Sequence, residues 1–185
     1  MNLPELSEGV LLRRYKRFLA DIRLNDGREI IAHCPNTGSM RAVNVPGCRV
    51  WVSHSTDPRR RLAWTWELIE LPDGAMASVH TGRTNALIKE ALNRQRIPAL
   101  NGYANCRREV AAADARLDFR LSGHRTREAA AFVEVKQVTL HEGEGLGCFP
   151  DAVSERGRRH LESLMALSAG GVSRRAAVLR GTHRH

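Results

Sequence analysis

The sequence predicts an α/β protein (α+β overall) in two parts, a small β-barrel followed by a mixed α/β unit. Three observations predict this fold class. Five short segments with alternating apolar and polar residues, separated by turn signals, fill residues 1–81. A helical period begins directly afterwards, in "TNALIKEALNRQRI". The rest of 82–185 has the order strands, helix, strand, which is typical of a mixed sheet packed against helices.

The strands of the first part are defined by alternation and by the turns that end them. "RYKRFLADIRL" is predicted as one strand that ends at the Asn-Asp-Gly turn of 25–27, and "REIIAHC" follows as the second arm of a hairpin. "CRVWVSHS", "LAWTWELIEL" and "AMASVHT" are the other three strands, and a Pro-Asp-Gly turn at 72–74 precedes the last. Five short strands in about 80 residues predict a five-stranded OB-like β-barrel.

The second part changes to a helical rhythm and then returns to strands. Its first helix has an apolar stripe at Leu87, Ile88, Ala91 and Leu92, and Pro98 is expected to stop it. Three strands follow, in "GYANCRREVAA", "ARLDFRLSG" and "FVEVKQVTL". "SERGRRHLESLMALSAGG" predicts a second helix with Ser154 as its N-cap, and "RRAAVLR" predicts a last strand.

Composition and charge narrow the class of function. The 185 residues carry a net charge of +9 at pH 7, which predicts a polyanionic partner, with nucleic acid ahead of a membrane surface. Non-specific binding of polyanions, common among basic proteins, is the alternative. No apolar run approaches the ~20 residues of a spanning helix, and the first residues lack a secretory pattern. We therefore expect a cytoplasmic protein with no membrane partner; the oligomeric state is not indicated. The four cysteines lack metal-ligand spacing and are expected to be buried thiols.

Four segments supply candidate contacts to DNA. "RRYKRF" mixes four cations with two aromatic rings, "HCPNTGSM" offers hydroxyl, amide and backbone N–H groups for an anion-binding nest, and "SERGRRHL" places arginines near a helix start. An arginine triplet at 59–61 lies in a predicted loop. The predicted DNA-binding residues are Arg13, Arg14, Lys16, Arg17, Asn36, Thr37, Ser39, Arg59, Arg60, Arg61, Arg156, Arg158 and Arg159. Alternatively, the rings are core residues, the arginines are solvated, and the 33–40 segment is an ordinary turn.

A charged cluster interrupts two apolar strands. In "FVEVKQVTL", Glu134 and Lys136 share one strand face, and in "RLDF" Asp118 lies on the face opposite its apolar neighbours. If the two strands pair, Asp118 and Glu134 approach each other, and a cation between them would relieve their repulsion. Mg²⁺ suits such a site and could polarise a phosphodiester, while Lys136 counters developing charge. An ordinary ion pair between Glu134 and Lys136 is the alternative.

Six blocks of the sequence resemble a known family. They are "EGVLLRRYKRFLADI", "HCPNTGSM", "TNALIKEAL", "RLDF", "FVEVKQVTL" and "FPDAVSERGRRHL". Together they span essentially the whole chain and are similar to the sugar fermentation stimulation protein A family. The resemblance implies an N-terminal OB-like domain over 1–81 and a PD-(D/E)XK nuclease-like α/β domain over 82–185. It also implies DNA binding and transcription regulation in sugar metabolism, particularly that of maltose.

The resemblance further implies roles for individual residues. It places Asp118, Glu134 and Lys136 at the catalytic D…ExK positions, with Asp118 and Glu134 as metal ligands. In the wider nuclease superfamily a first-helix glutamate sometimes joins the metal site, and Glu90 matches it. This chain has Gln137 where the family pattern has asparagine, and the second domain is expected to be incomplete at its C-terminus.

DNA binding with low sequence specificity is the leading functional prediction, since no helix-turn-helix or zinc-finger signature offers readout of base sequence. A Mg²⁺-dependent nuclease is the alternative, with Mg²⁺ as the possible cofactor. A third alternative is a protein whose basic surface binds another anionic partner.

Overall fold

A computed structural model describes residues 1–112, 115–126, 128–141, 147–148, 155, 157–159, 162–163, 165, 173–180 and 182–183. The chain divides into two compact units. Met1–Arg83 forms most of the first unit and Thr84–Lys136 most of the second, and later segments of the chain contribute to both.

Five strands of the first unit close into a barrel. They are β1 (Leu6–Tyr15), β2 (Leu19–Leu24), β3 (Glu29–His33), β4 (Arg49–His54) and β5 (Trp64–Glu70). The hydrogen-bonded order is β1-β2-β3-β5-β4, and β4 pairs back onto β1. The β3–β5 pair is parallel, while the other barrel pairs are antiparallel. This is a closed five-stranded barrel, which confirms the predicted OB-like fold.

Short strands extend the barrel sheet beyond its closed part. Strand β6 (Met76–Ser78) pairs with β5, and β13 (Thr182–His183) pairs with β6. Strands β10 (Leu140–His141) and β11 (Gly147–Cys148) form a separate two-stranded sheet.

The barrel core follows from the two-residue period of its strands. Alternate side chains such as Leu11, Ile22 and Trp66 point inward and are fully buried. Cys34 is buried in the same core as a free thiol, as expected from the cysteine spacing. Apolar side chains from all five strands therefore meet in one interior.

The prediction of one strand over "RYKRFLADIRL" was wrong. Tyr15 pairs with Leu19 across an antiparallel hairpin, so residues 16–18 are the turn between β1 and β2. Lys16 and Arg17 both have positive φ, 48° and 65°. The predicted fifth strand, "AMASVHT", contains β6, which lies outside the closed barrel. The closed barrel has five strands, as predicted, but the first predicted strand is two strands and the fifth lies outside the barrel.

Among the described residues of the barrel unit, one carboxylate is buried, that of Glu67 on β5, which is 1% exposed. Its carboxylate accepts hydrogen bonds from Ser53 Oγ (2.6 Å) and from Arg83 Nε (2.5 Å) and Nη2 (2.6 Å). Burial alone would raise the pKa of Glu67, but the hydrogen bonds from Arg83 and Ser53 outweigh it and lower the pKa. Glu67 is therefore held as a charged group inside the unit.

The second unit has a four-stranded sheet. Helix α1 (Thr81–Asn93) and a 3-10 turn (Pro98–Leu100) precede its strands, β7 (Tyr103–Ala112), β8 (Ala115–His124), β9 (Ala131–Val138) and β12 (Ser173–Arg180). The strand order is β12-β9-β8-β7. Ile88 of α1 is buried in one core cluster with side chains such as Phe119 and Val133. The predicted helix and strands of this unit are confirmed, and α1 ends before Pro98.

The predicted second helix is confirmed where it is described. Residues 155, 157–159, 162–163 and 165 are helical, and Ser154 lies outside the described residues. Among the helices that the structure describes, none has the length and apolar character needed to cross a membrane.

Candidate functional site

A groove on the barrel brings together several residues that the sequence singled out. It has a volume of about 650 Å³. The β1–β2 turn, strands β2 and β3, and the loop between β4 and β5 surround it. Its lining residues are Lys16, Phe18, Leu19, Ile31, His33, Arg60, Arg61 and Leu62. Lys16, Arg60 and Arg61 were predicted to contact DNA. Phe18 was noted only as one of the two aromatic rings of "RRYKRF", not as a predicted DNA contact.

The groove combines exposed apolar side chains with cations. Phe18 is 46% exposed and Ile31 is 48% exposed, although both are large and apolar. Lys16 and Arg61 are exposed, and within the described part of the chain neither has a salt bridge to a carboxylate. Such a surface can contact an anion and an apolar ring at the same time.

Two groove residues are fixed by their neighbours. Arg60 donates from Nη2 to the Thr65 hydroxyl (2.7 Å), which orients its guanidinium. Burial, and to a smaller extent the positive charge of Arg60, lowers the pKa of His33. The neutral imidazole therefore predominates at pH 7, and the positive charge of the groove comes from Lys16, Arg60 and Arg61.

Arg14 supports the turn that carries Lys16 and Phe18. Its Nη2 donates to the carbonyl oxygens of Arg17 (2.6 Å), Asn36 (2.9 Å) and Gly38 (2.9 Å). This guanidinium thus ties the β1–β2 turn to the 36–38 segment. The direct DNA contact assigned to Arg14 stays a prediction.

The 33–40 segment is organised by its own turn. The Asn36 side chain accepts a hydrogen bond from the Gly38 N–H (2.9 Å), which is an Asx-turn. Thr37 is exposed and Ser39 is half-buried. The predicted anion-binding role of Asn36, Thr37 and Ser39 stays a prediction.

Other predicted DNA contacts already have acidic partners. Arg13 pairs with Asp21 (2.7 Å), and Arg59 pairs with Asp57 (2.9 Å). Arg13 also lies over the Tyr15 ring, 5.0 Å from its centroid. Part of each positive charge is therefore offset within the barrel unit.

The predicted arginines of the second helix are only partly described. Arg158 pairs with Glu155 (3.0 Å) and Glu162 (3.2 Å), and Arg159 is exposed. Arg156 lies outside the described residues. Their role as a phosphate clamp stays a prediction.

A second candidate site lies where strands β8 and β9 separate. The pairs between these strands run from Leu121–Ala131 to Phe119–Val133. Asp118 directly precedes Phe119 on β8. Its side chain, rather than the main chain, bonds to β9 there, because Oδ2 accepts a hydrogen bond from the Val135 N–H (2.7 Å). Its other oxygen accepts from Asn85 Nδ2 (2.7 Å) on helix α1. Two neutral amides therefore fix the plane of this carboxylate.

Glu134 and Lys136 complete the cluster. The Glu134 side chain is 4% exposed and that of Lys136 is 18% exposed, and Lys136 Nζ donates to Glu134 Oε1. Burial is the main cause that raises the pKa of Asp118, and the negative charge of Glu134 adds to it. The hydrogen bonds from Val135 and Asn85 and the charge of Lys136 offset part of this effect. The three residues predicted from the D…ExK spacing thus interact with one another.

Glu90, implied as a third metal ligand, pairs with Arg94, the residue directly after α1 (3.0 Å). In the described part of the chain, no three His, Cys, Asp or Glu side chains lie close enough together to hold a metal ion. Participation of Glu90 in a metal site stays a prediction.

Sequence reasoning missed Asn85. It lies in the opening turns of α1, where an asparagine is usually a neutral surface residue, so its identity carried no signal. A polar side chain three residues before the buried Ile88 of the same helix was not considered as a partner of the strand carboxylate. A buried carboxylate such as that of Asp118 requires hydrogen-bond donors, and a search for those donors could have identified Asn85.

Comparison with known proteins agrees with this architecture. The description "SfsA N-terminal OB domain" matches residues 12–79, and "Sugar fermentation stimulation protein RE domain" matches residues 82–183. The sugar fermentation stimulation protein homolog of Chromohalobacter salexigens is 65% identical over 175 residues, which cover 92% of this chain and 68% of that protein. The homolog of Halorhodospira halophila is 54% identical over 168 residues, which cover 90% and 70%.

A solved structure is also similar. The structure of Pyrococcus furiosus SfsA in complex with Ca²⁺ has a TM-score of 0.82 and 26% identity, and the match covers 97% of this chain and 74% of that one. Two domain descriptions that match most of the sequence, together with relatives of 65% and 54% identity, show that the chain belongs to the sugar fermentation stimulation protein (SfsA) family.

Proposed function

We propose that the protein binds nucleic acid in the barrel groove, with low sequence specificity. The observation that carries the proposal is the make-up of the groove, in which Lys16, Arg60 and Arg61 surround the exposed Phe18 and Ile31. OB-folds bind oligonucleotides on the face of strands 2 and 3, between the loops that follow strands 1 and 4. The groove lies between the corresponding turn and loop of this barrel.

The chemistry of the groove suits a phosphate backbone. Lysine and arginine side chains bind phosphates by displacing counterions, and such contacts carry no sequence information. The net charge of +9 adds a long-range attraction for any nucleic acid. Contacts of this kind would give binding that depends strongly on salt and weakly on sequence.

Salt-dependent binding to random-sequence DNA tests the proposal. We expect Arg61→Ala to weaken binding and to reduce the slope of log affinity against log salt by about one. The matched control is Arg28→Ala, which removes one positive charge from the β2–β3 turn, where Arg28 pairs with Asp26 (2.6 Å). Equal slopes for the wild type, Arg61→Ala and Arg28→Ala would overturn the assignment of the groove.

The carboxylate cluster favours a second candidate function, metal-dependent hydrolysis of phosphodiesters. The negative charge of Glu134 acts on Asp118, which accepts hydrogen bonds from the neutral Val135 N–H and the neutral Asn85 amide. Each Asp118 oxygen accepts one such bond and has a second lone pair available. One or two carboxylates, completed by waters and phosphate oxygens, are the usual ligands of Mg²⁺. The residues present therefore fit a hard divalent cation.

The chain's own residues would have separate tasks in that reaction. Asp118 and Glu134 would hold Mg²⁺, and the P. furiosus relative binds Ca²⁺, another hard cation with oxygen ligands. A bound Mg²⁺ would polarise the phosphodiester and lower the pKa of a bound water. Lys136 would exchange its contact with Glu134 for the charge that develops on the phosphate.

Incubation of labelled DNA with Mg²⁺ or Mn²⁺ tests the second candidate, with EDTA controls. We expect cleavage in the wild type and its loss in Asp118→Ala and Lys136→Ala. Calorimetric titration with Mn²⁺ gives an independent readout, in which Asp118→Ala loses binding and Lys136→Ala retains it. DNA that is retarded but remains intact in all three proteins would leave the groove as the functional site. Transcription regulation in sugar metabolism stays a prediction.

A further inference from the structure

We infer that the barrel groove selects single-stranded over double-stranded nucleic acid, by stacking an unpaired base on Phe18. The inference rests on the proposed function of the groove and adds the class of nucleic acid that the groove takes.

The first argument is the position of the apolar side chains. Phe18 and Ile31 are each almost half exposed, on the same groove whose rim carries Lys16 and Arg61. A duplex presents phosphates on its outside and keeps the faces of its bases stacked inside, so cations alone would serve to bind it. Exposed apolar side chains within a cationic rim match a strand whose base faces are accessible.

The second argument is the backbone conformation that presents Phe18. Lys16 and Arg17, which precede it in the β1–β2 turn, both adopt the left-handed region, with φ of 48° and 65°. Hairpin turns of this kind favour Asn and Gly, because side chains with a Cβ are strained there. Strained positions persist where the surrounding structure holds them, and they concentrate at functional sites.

Arg14 supplies that support. Its Nη2 donates to the Arg17 carbonyl (2.6 Å) and, from the same group, to the Asn36 and Gly38 carbonyls (2.9 Å each). The turn is therefore fastened to the 36–38 segment. Lys16 and Phe18 both line the groove from this turn, where they could supply a phosphate contact and a stacking surface.

The third argument is the opposite rim. Arg60 and Arg61 lie in the β4–β5 loop, and the orientation of Arg60 is fixed by the Thr65 hydroxyl. His33, on β3, also lines the groove. A strand whose base rests on Phe18 would thus meet cations on both sides of its backbone. This arrangement is the one by which OB-folds hold single strands without reading sequence.

Fluorescence anisotropy with one labelled oligonucleotide tests the inference. The probe is a mixed-sequence DNA strand of about 16 nucleotides, used alone and annealed to its complement. Phe18→Leu keeps an apolar side chain but removes the aromatic face, whereas Phe18→Tyr keeps an aromatic face of the same size. Arg61→Ala reports on phosphate contact, and Arg28→Ala controls for the loss of one charge outside the groove. Phe18 is exposed, so circular dichroism should show that its variants fold normally.

We expect the wild type to bind the single strand more tightly than the duplex. Phe18→Leu should weaken single-strand binding by roughly five- to 150-fold, the range for one stacked base, and leave duplex binding nearly unchanged. Phe18→Tyr should restore the affinity. Equal affinities for both probes, with Phe18→Leu unaffected but Arg61→Ala weakened, would overturn the inference and leave the proposed function standing. Salt-independent binding that none of the variants changes would overturn both.

Discussion

At the scale of single residues, Glu67 and Asp118 are two buried carboxylates in opposite electrostatic settings. Glu67 receives two hydrogen bonds from the Arg83 guanidinium and one from Ser53, which lower its pKa. Asp118 receives its hydrogen bonds from neutral amides, and its pKa is raised by burial and, to a smaller extent, by the charge of Glu134. Glu67 is thus compensated and structural, whereas Asp118 favours a proton or an added cation.

The stability of the barrel unit should depend on Glu67 in acid. Because the folded-state pKa of Glu67 is lowered, its contribution is present above the usual carboxylate range and is lost as pH falls through the lowered value. Glu67→Gln should cost about 3 kcal/mol at pH 7, since it leaves Arg83 without its partner. Urea unfolding curves at a series of pH values measure both effects.

The control for Glu67 is Glu29→Gln, which removes an exposed carboxylate on β3 that pairs with Arg23 at 3.5 Å. This variant should change the free energy of unfolding by less than about 1 kcal/mol. If Glu67→Gln kept the acid dependence of the wild type, another group would be responsible for it.

Asn85 is expected to act as a positioning residue for Asp118. Asn85→Ala removes the donor to Asp118 Oδ1, and loss of such a supporting bond typically weakens metal binding about 10- to 100-fold. Calorimetric titration with Mn²⁺ measures this, and Asn93→Ala at the end of the same helix is the matched control. An Asn85→Ala protein with wild-type Mn²⁺ affinity would restrict Asn85 to a structural role.

At the scale of elements, the turn of the β1–β2 hairpin has a strained backbone. Two consecutive side chains in the left-handed region, those of Lys16 and Arg17, are placed where Asn and Gly are favoured. The neighbouring β2–β3 turn does use glycine at such a position, with φ of 88° at Gly27. The two turns of one sheet thus differ in whether their residues suit the backbone.

Replacing Lys16-Arg17 by Asn-Gly should therefore stabilise the barrel unit and weaken nucleic-acid binding. We expect the free energy of unfolding to rise by about 1 kcal/mol, because the strain at both positions is relieved. Gly27→Ala should have the opposite sign, since alanine at φ of 88° is strained although its Cβ meets no neighbour. Urea unfolding curves measure the stability of both variants, and DNA-binding titrations measure their affinity. A destabilised Asn-Gly variant would contradict the interpretation.

This turn also marks where the sequence was insufficient. The segments 25–27 and 72–74 contain glycine and predicted turns correctly, but "YKRF" contains no turn-forming residue, so β1 and β2 merged into one predicted strand. Helix α1 was predictable because its apolar stripe and Pro98 agree with each other. The D…ExK pair of strands was predictable from alternation, whereas Asn85 depends on tertiary contact alone and leaves no trace in a local pattern.

At the scale of the whole molecule, the two candidate sites belong to different units. The groove is formed within the barrel, and the carboxylate cluster is formed within the four-stranded sheet and α1. Each unit has its own buried core. We therefore expect Arg61→Ala to weaken the proposed nucleic-acid binding alone, and Asp118→Ala to abolish the proposed metal binding alone.

The placement of the aromatic residues gives the two units different optical properties. The chain has three tryptophans, Trp51, Trp64 and Trp66, and all of them lie on β4 and β5 of the barrel. Tryptophan emission therefore reports on the barrel alone, whereas far-ultraviolet circular dichroism reports on both units. Because the cores are separate, we expect the two signals to give different midpoints in urea. Superimposable curves would show that the units unfold as one. Separate midpoints would assign each variant's effect to one unit without labelling the protein.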